Sequence, residues 1–196
     1  APKRLFFGAP LGTVMNAADR RQFFGSSENM KMRLTFATPD LKRPGAFVVF
    51  ATDGGKLSAS ADKLDKASGG ALKRALKNSK FKGRKGQTLV VLGPTGLKAS
   101  RILLLGIGKV DKVDDLAAQS LGGAIFRSLG SSGDKTASVI VDTIKGVKLT
   151  GAEFAANVAY GCKLRSYRFD KYRTQEKPED KPSLTSVAVM VKEVAG

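Results

Sequence analysis

Side chains that could carry out catalysis are scarce in this sequence. It contains no histidine, which excludes a Ser-His-Asp or Cys-His arrangement, a His-ligated zinc site and a histidine proton shuttle. Its one thiol, Cys162, excludes an internal disulfide, and its place on an apolar helical face predicts a small buried hydrophobe. The carboxylates show no pairing that suits hydrolysis or a metal cage. The residues alone therefore predict no catalytic, cofactor-binding or metal-binding site.

Positive charge is the feature that most directly suggests a binding partner. The chain carries 34 Lys and Arg against 17 Asp and Glu, a formal net charge of +17. Seven cations fall in one acid-free stretch of thirteen residues: Lys73, Arg74, Lys77, Lys80, Lys82, Arg84 and Lys85. Such a run can bind a polyanion through counterion release, or it can be a solvated face. We predict these seven residues as a candidate polyanion contact and leave both interpretations open.

Two other stretches have a spacing that could bind an anion or a base. The run Gly106-Ile107-Gly108-Lys109 follows an apolar strand and precedes a helix, where a glycine turn can hold phosphate on its amides. It lacks the third glycine of a dinucleotide fingerprint and the ending of a P-loop, so a tight turn is the favoured interpretation. The segment 164–173 interleaves aromatic residues with cations. Its aromatic rings could stack on bases, or they could pack inward while the cations face solvent or a partner domain.

Strand patterns and helix patterns alternate along the chain. Short apolar strands are predicted at 32–37, 47–50, 89–92, 102–105, 139–141 and 187–191. Helical spacing joins Leu57 to Leu76 but is interrupted at Gly69-Gly70, where either two helices meet or another segment packs closely. Strands interleaved with helices predict an α/β fold whose mixed, mostly parallel sheet is covered by helices on both faces.

Two further helices carry capping signals. Apolar residues at helical spacing predict a helix over 113–129, with Asp111 or Asp114 as its N-cap and Gly130 at its end. The run Thr150-Gly-Ala-Glu153 matches a capping box, in which two side chains satisfy the free amides of a starting helix. Both helices are expected to pack an apolar side on the sheet.

The first residues of the chain differ from the rest. Residues 1–29 show no sustained period of strand or helix, and we predict them to be an N-terminal extension ahead of a domain spanning 30–196. The simpler interpretation is an upstream extension. The alternative is an organellar presequence, because Lys and Arg outnumber the acids in this stretch. No apolar run in the chain approaches the roughly 18 residues that cross a bilayer.

Several short stretches carry a family resemblance when they are taken in order. They are Lys56-Leu57 with 64–72, Phe81-Lys82-Gly83 with Gly86-Gln87-Thr88, 101–109, and, most tellingly, Leu-Arg-Ser-Tyr-Arg-Phe-Asp-Lys-Tyr-Arg-Thr at 164–174. Each is short, but as a set they extend along the chain from about Met32 to Gly196. This set resembles the N-terminal domain of the leucyl aminopeptidase, or cytosol aminopeptidase, family, and most of all its bacterial members.

The resemblance implies a three-layer α/β/α domain similar to the macro domain, with about six strands, ahead of a larger catalytic domain. In the family that catalytic domain holds two divalent metal ions, manganese or zinc, and removes N-terminal residues from peptides. Its Asn-Thr-Asp-Ala-Glu-Gly-Arg signature does not occur in this sequence. No catalytic or metal residue can therefore be carried over to any position, and we expect this domain alone not to hydrolyse peptides.

The role that the resemblance leaves for this domain is architectural. It implies contacts with the protein's own C-terminal catalytic domain and with neighbouring subunits of a cytoplasmic homo-hexamer, where the domain shapes access to the active sites. No membrane partner is expected. Two alternatives stay open: DNA binding, because some bacterial members bind DNA with this domain contributing, and nucleotide or ADP-ribose binding near the glycine turns of a macro-like fold. Fold alone decides neither of them.

Overall fold

Seven strands and four helices make up the part of the chain that the computed structural model describes, residues 32–167 and 182–192. The strands are β1 Arg33–Ala37, β2 Gly45–Thr52, β3 Lys56–Leu57, β4 Thr88–Leu92, β5 Ala99–Gly108, β6 Thr136–Val141 and β7 Ser186–Val191. The helices are α1 Ala59–Ala67, α2 Ala71–Lys77, α3 Asp115–Leu129 and α4 Gly151–Ser166. A 3-10 turn, Val110–Lys112, joins β5 to α3.

The strands form one sheet in the order β1-β7-β6-β2-β5-β4. The first five strands in this order, β1, β7, β6, β2 and β5, are all parallel to one another. The last strand, β4, pairs antiparallel with β5. The short β3 pairs antiparallel with the end of β2 and is the strand that the sequence pattern missed, since two residues show no alternation. The predicted mixed, mostly parallel sheet is confirmed.

Helices cover both faces of this sheet, as predicted. On one face Val48, Phe50, Leu103 and Leu105 pack with apolar residues of α3 and α4. On the other face the alternate strand residues, such as Phe47 and Leu104, pack with α1 and α2. Residues buried on both sides explain why β2 and β5 are nearly continuous apolar runs, as is usual in parallel sheets. The three-layer α/β/α architecture is therefore confirmed.

The interruption of helical spacing at Gly69-Gly70 is a break between two helices. Helix α1 ends at Ala67, and Gly70 lies in the left-handed region (φ 80°) as the N-cap of α2. A Cβ added at Gly69 meets nothing within 4 Å, so no other segment packs against it. Of the two interpretations that the sequence left open, the first is confirmed.

The predicted helix caps are present. Asp114, rather than Asp111, caps α3 and accepts a hydrogen bond of 2.7 Å from the amide of Ala117. The capping box starts α4: the amide of Glu153 donates to Thr150 Oγ1 (3.2 Å), and the amide of Thr150 donates to Glu153 Oε2 (2.8 Å). This backbone hydrogen bond lowers the pKa of Glu153 and keeps its carboxylate charged as a cap.

Helices α3 and α4 run parallel and lie unusually close together. A Cβ on Gly122 would overlap the carbonyl oxygen of Val158, and one on Gly161 would overlap that of Gln119. Beside this contact, Gln119 Nε2 donates to Asn157 Oδ1 at 2.8 Å. The two glycines thus let the helix backbones meet directly and bury the apolar sides of both helices on the sheet.

Some sequence predictions fall outside the described residues. These are the N-terminal extension at 1–29 and most of the segment 164–173. Within the segment, Tyr167 is described and is 73% exposed, so this ring does not pack inward. None of the described helices is both long and apolar enough to cross a membrane.

Candidate functional site

The cations of the candidate polyanion contact lie on α2 and on the loop 78–87 that follows it. Lys73, Arg74 and Lys77 belong to α2, and the other four belong to the loop. All seven side chains are exposed. The loop passes over the carboxyl ends of the parallel strands β2 and β5. In open α/β sheets, ligands usually bind at the carboxyl ends of the strands.

Backbone hydrogen bonds fix this loop on the sheet. The amide of Gly54, after β2, donates to the carbonyl of Lys82, and the amide of Gly108, in β5, donates to the carbonyl of Gly83, each at 2.9 Å. The amide of Gly86 donates to the carbonyl of Gly106 at 2.9 Å. Because these bonds hold the backbone, the charged side chains of the loop project from a fixed base.

The side chain of Gln87 closes the loop from within. Its Oε1 accepts hydrogen bonds from the amides of Lys82 (2.9 Å) and Arg84 (3.3 Å). Its Nε2 donates to the carbonyl of Lys80 at 3.0 Å. One amide side chain therefore satisfies three backbone groups of a short segment, which adds to the order of the loop.

Two of the seven cations are already engaged within the domain. Lys73 Nζ lies 3.1 Å from Asp62 Oδ1 and 3.5 Å from Asp65 Oδ2. The hydrogen bond with Asp62 raises the pKa of Lys73, with the charges of both carboxylates adding to it. The guanidinium of Arg74 donates to the carbonyl of Gly69.

The other five cations have no ion pair within the ranges that the structure describes. They are Lys77, Lys80, Lys82, Arg84 and Lys85. No local pattern in the sequence indicates this division, because the two acids that engage Lys73 lie on α1, across the break between the helices. All seven cations stay a candidate polyanion contact, and five of them have no ion pair or side-chain hydrogen bond among the described residues.

The glycines at 106–108 have a structural role. They lie in the last residues of β5 rather than in a turn, which differs in detail from the favoured interpretation. The amide of Gly106 donates to the carbonyl of Gln87 at 2.8 Å, and the amide of Gly108 donates to that of Gly83. A Cβ at Gly106 would overlap the backbone of the loop. Both amides are occupied, so these glycines do not present a phosphate-binding turn.

The start of α2 is occupied in the same way. The buried carboxylate of Asp65 accepts a hydrogen bond of 2.9 Å from the amide of Lys73, in the first turn of this helix. A negative side chain thus already stands where the amides of α2 point. Neither the end of β5 nor the start of α2 favours nucleotide or ADP-ribose binding.

The single cysteine lies in the core, as predicted. Cys162 is 1% exposed on the side of α4 that faces the sheet. Burial raises the pKa of its thiol to about 12. Because the thiolate is the nucleophilic form, this side chain is inert near neutral pH.

Buried carboxylates in the described part of the chain serve structure. Asp142, at the end of β6, accepts hydrogen bonds from the amide (2.7 Å) and the hydroxyl (2.6 Å) of Ser60 at the start of α1. Asp134 pairs with Arg101 and accepts a hydrogen bond from Ser100 Oγ. Among the described residues no group of three or more His, Cys, Asp or Glu side chains could hold a metal ion. The described ranges thus offer no ligand set for the two metal ions that the resemblance implies for the catalytic domain.

These observations define a macro-like α/β domain with exposed cations on α2 and on the loop 78–87. Comparisons with known proteins identify its family. Residues 48–176 match the model of the "Cytosol aminopeptidase family, N-terminal domain". The chain belongs to the cytosol aminopeptidase family.

Curated relatives agree with this assignment. A probable cytosol aminopeptidase of Caulobacter vibrioides is 38% identical over 161 residues, which cover 81% of this chain and 31% of that protein. A probable cytosol aminopeptidase of Rhodopseudomonas palustris strain BisA53 is 42% identical over 125 residues, which cover 64% of this chain and 24% of that protein. The matched region thus spans less than a third of the length of either relative.

Solved structures show the same fold. A mutant of tomato leucine aminopeptidase superposes with a TM-score of 0.64 at 20% identity, over 88% of this chain and 35% of that chain. The macrodomain of Mycobacterium tuberculosis DarG superposes with a TM-score of 0.56 at 12% identity, over 82% of this chain and 99% of that chain. The second comparison confirms the macro-like fold that the family resemblance implies.

Proposed function

We propose that this chain acts as the non-catalytic N-terminal domain of a metal-dependent leucyl aminopeptidase of the bacterial type, with an architectural role in assembly and in access to the active sites. The observation that carries the proposal is the family match over residues 48–176. It is supported by curated relatives named as probable cytosol aminopeptidases, such as the Caulobacter protein, which is 38% identical over 161 residues. It is also supported by the absence of a metal-ligand group from the described residues.

The rest of the proposal concerns the parent enzyme. Its catalytic domain would bind two divalent metal ions, manganese or zinc, and would remove N-terminal residues from peptides in the cytoplasm. The partners of the present domain would then be its own C-terminal catalytic domain and the neighbouring subunits of a homo-hexamer. In this arrangement the domain contributes binding surfaces and steric limits on access, and it contributes no group that activates water.

The two alternative functions receive less support. The backbone amides that a nucleotide phosphate would need at the end of β5 already donate to loop carbonyls. For DNA, the five cations without an ion pair on the described basic surface supply charge that attracts phosphates, and this attraction alone positions a partner without specifying DNA. The architectural role therefore stands as the proposal.

A graft into a relative tests the architectural role. The matched N-terminal part of the Caulobacter vibrioides relative is replaced by residues 31–196 of this chain. We expect the graft to have the same assembly mass as the unmodified Caulobacter relative, measured by light scattering. We also expect it to keep that relative's metal-dependent hydrolysis of a leucine amide. The physical reason is that shared family surfaces should restore the contacts of the exchanged domain.

The control is the same relative with its N-terminal part deleted. We expect the deletion variant to form smaller assemblies or to change its relative activity on short and long peptides, because the architectural surfaces are gone. A deletion variant that matches the parent in both measurements would contradict an architectural role. A graft that behaves like the deletion variant would contradict the assignment of that role to this chain.

A further inference from the structure

One side of the domain is built from a long segment without a single acidic residue. From Lys66 to Val110 the sequence contains eleven Lys and Arg and no Asp or Glu. This segment folds into α2, the loop 78–87, β4 and β5. The sequence shows the densest part of this charge, but only the fold shows that the same segment contains β4, the strand that ends the sheet.

Strand β4 is an edge strand with exposed apolar side chains. Within the described residues it pairs with β5 on one side and ends the order of the sheet. Its residues alternate: Leu89 and Val91 pack toward the core shared with α1 and α2, whereas Val90 is 43% and Leu92 is 68% exposed. An edge strand carries free backbone donors and acceptors, and proteins commonly cover or charge such an edge to prevent unwanted pairing.

Cations lie at both ends of this edge. Arg84 and Lys85 precede β4, and Lys98 follows it in the turn toward β5, and all three side chains are exposed. None of the three has an ion pair among the described residues. As far as the structure describes the chain, this edge combines main-chain groups without a strand partner, two exposed apolar side chains and positive charge without an ion pair.

From this combination we infer that the free edge of β4 binds an extended acidic segment of a partner polypeptide as an added strand. The backbone of the segment would satisfy the free edge, its apolar residues would cover Val90 and Leu92, and its carboxylates would face Arg84, Lys85 and Lys98. The inference goes beyond the proposed architectural function, because it names a binding edge and the chemistry of its occupant.

Two other occupants fit these observations less well. A second copy paired through the same edge would place its own Arg84, Lys85 and Lys98 against these cations, and the like charges would repel each other. A single-stranded nucleic acid would need aromatic side chains on which to stack, and the one aromatic residue between Lys66 and Val110, Phe81, is 6% exposed. Val90 and Leu92 also offer nothing to a phosphate backbone.

The experiment uses a capped peptide of about eight alternating Glu and Val residues as the probe. It is titrated into the chain, and amide hydrogen exchange of β4 is followed by NMR. We expect binding that weakens as salt rises, together with new protection of β4 amides that exchange freely in the unbound chain. A peptide of the same sequence, N-methylated at every second residue, should bind much more weakly because it cannot pair as a strand.

Matched surface variants locate the site. Leu92→Asp should weaken binding of the peptide by about tenfold or more, because it removes apolar cover and adds a like charge. Leu116→Asp, at an equally exposed leucine on α3 (71%), should leave the affinity unchanged. Both sites face solvent, so circular dichroism should show that both variants stay folded.

Several outcomes would overturn the inference. They are no binding of the peptide, equal binding of the N-methylated peptide, or equal effects of the two variants. Protection of all β4 amides in the unbound chain would show that the edge is already covered. Binding of duplex DNA without binding of the peptide would assign the basic surface to nucleic acid instead. None of these results bears on family membership, so a failure here is distinguishable from a failure of the proposed function.

Discussion

Gly161→Ala is expected to lower the free energy of unfolding by about 3 kcal/mol, the upper part of the usual range for overpacking. The added methyl group would overlap the carbonyl oxygen of Gln119 on α3, a backbone atom that cannot turn away. Helices α3 and α4 must therefore separate, which opens the core around Val158 and Cys162. Urea unfolding followed by circular dichroism measures the change as a lower midpoint at an unchanged slope.

The matched control is Gly123→Ala on the neighbouring helix. Its added Cβ comes no nearer than 3.9 Å to another side chain, that of Arg165, which is ordinary contact. Because alanine favours a helix over glycine, this variant should be more stable than the parent by about 0.5–1 kcal/mol. Equal stability of the two variants, or a more stable Gly161→Ala, would contradict the close approach of the helices.

The second large effect is expected at the loop that carries the cations. Gly83→Ala should cost about 3 kcal/mol, from left-handed strain plus overpacking. Gly83 has a φ of 71°, and a Cβ there would overlap the carbonyl oxygen of Thr52 at the end of β2. The loop must move away from the sheet, so the hydrogen bond from Gly54 to Lys82 should break. Thermal unfolding and exchange of the Gly54 amide measure both effects.

Gly86→Ala separates strain from overlap in the same loop. Gly86 has a similar φ of 74°, but a Cβ there meets nothing within 4 Å. The expected cost is therefore the conformational strain alone, about 1–2 kcal/mol. If Gly86→Ala proves as damaging as Gly83→Ala, the overlap with Thr52 is not the cause and the described path of the loop is wrong.

The features that the sequence predicted correctly depend on neighbouring residues. Asp114 and Thr150 cap helices because a side chain reaches an amide three residues ahead. The apolar runs of β2 and β5 are strands buried on both faces, and this burial appears in the sequence as unbroken hydrophobicity. Cys162 is buried because it lies on the apolar side of α4. Local periodicity and capping chemistry were sufficient for these elements.

The features that the sequence did not reveal depend on distant residues. The path of the loop is set by hydrogen bonds from Gly106 and Gly108, some twenty positions further along the chain, which no local pattern encodes. Lys73 looked like one cation of a run, but two acids of α1 engage it across the helix break. The apolar run at 89–92 predicted a strand but not its place in the sheet, and the strand order leaves β4 at an edge with Leu92 exposed.

Hydrolysis of a leucine amide by the purified chain, with manganese or zinc added, tests the central claim most directly. The claim is that this chain holds the fold of the family's N-terminal domain but lacks the groups that activate water. We predict a rate equal to that of the metal ions alone, for the parent chain and for Gly123→Ala. Metal-dependent turnover that follows the protein through purification and is lost on unfolding would contradict the claim.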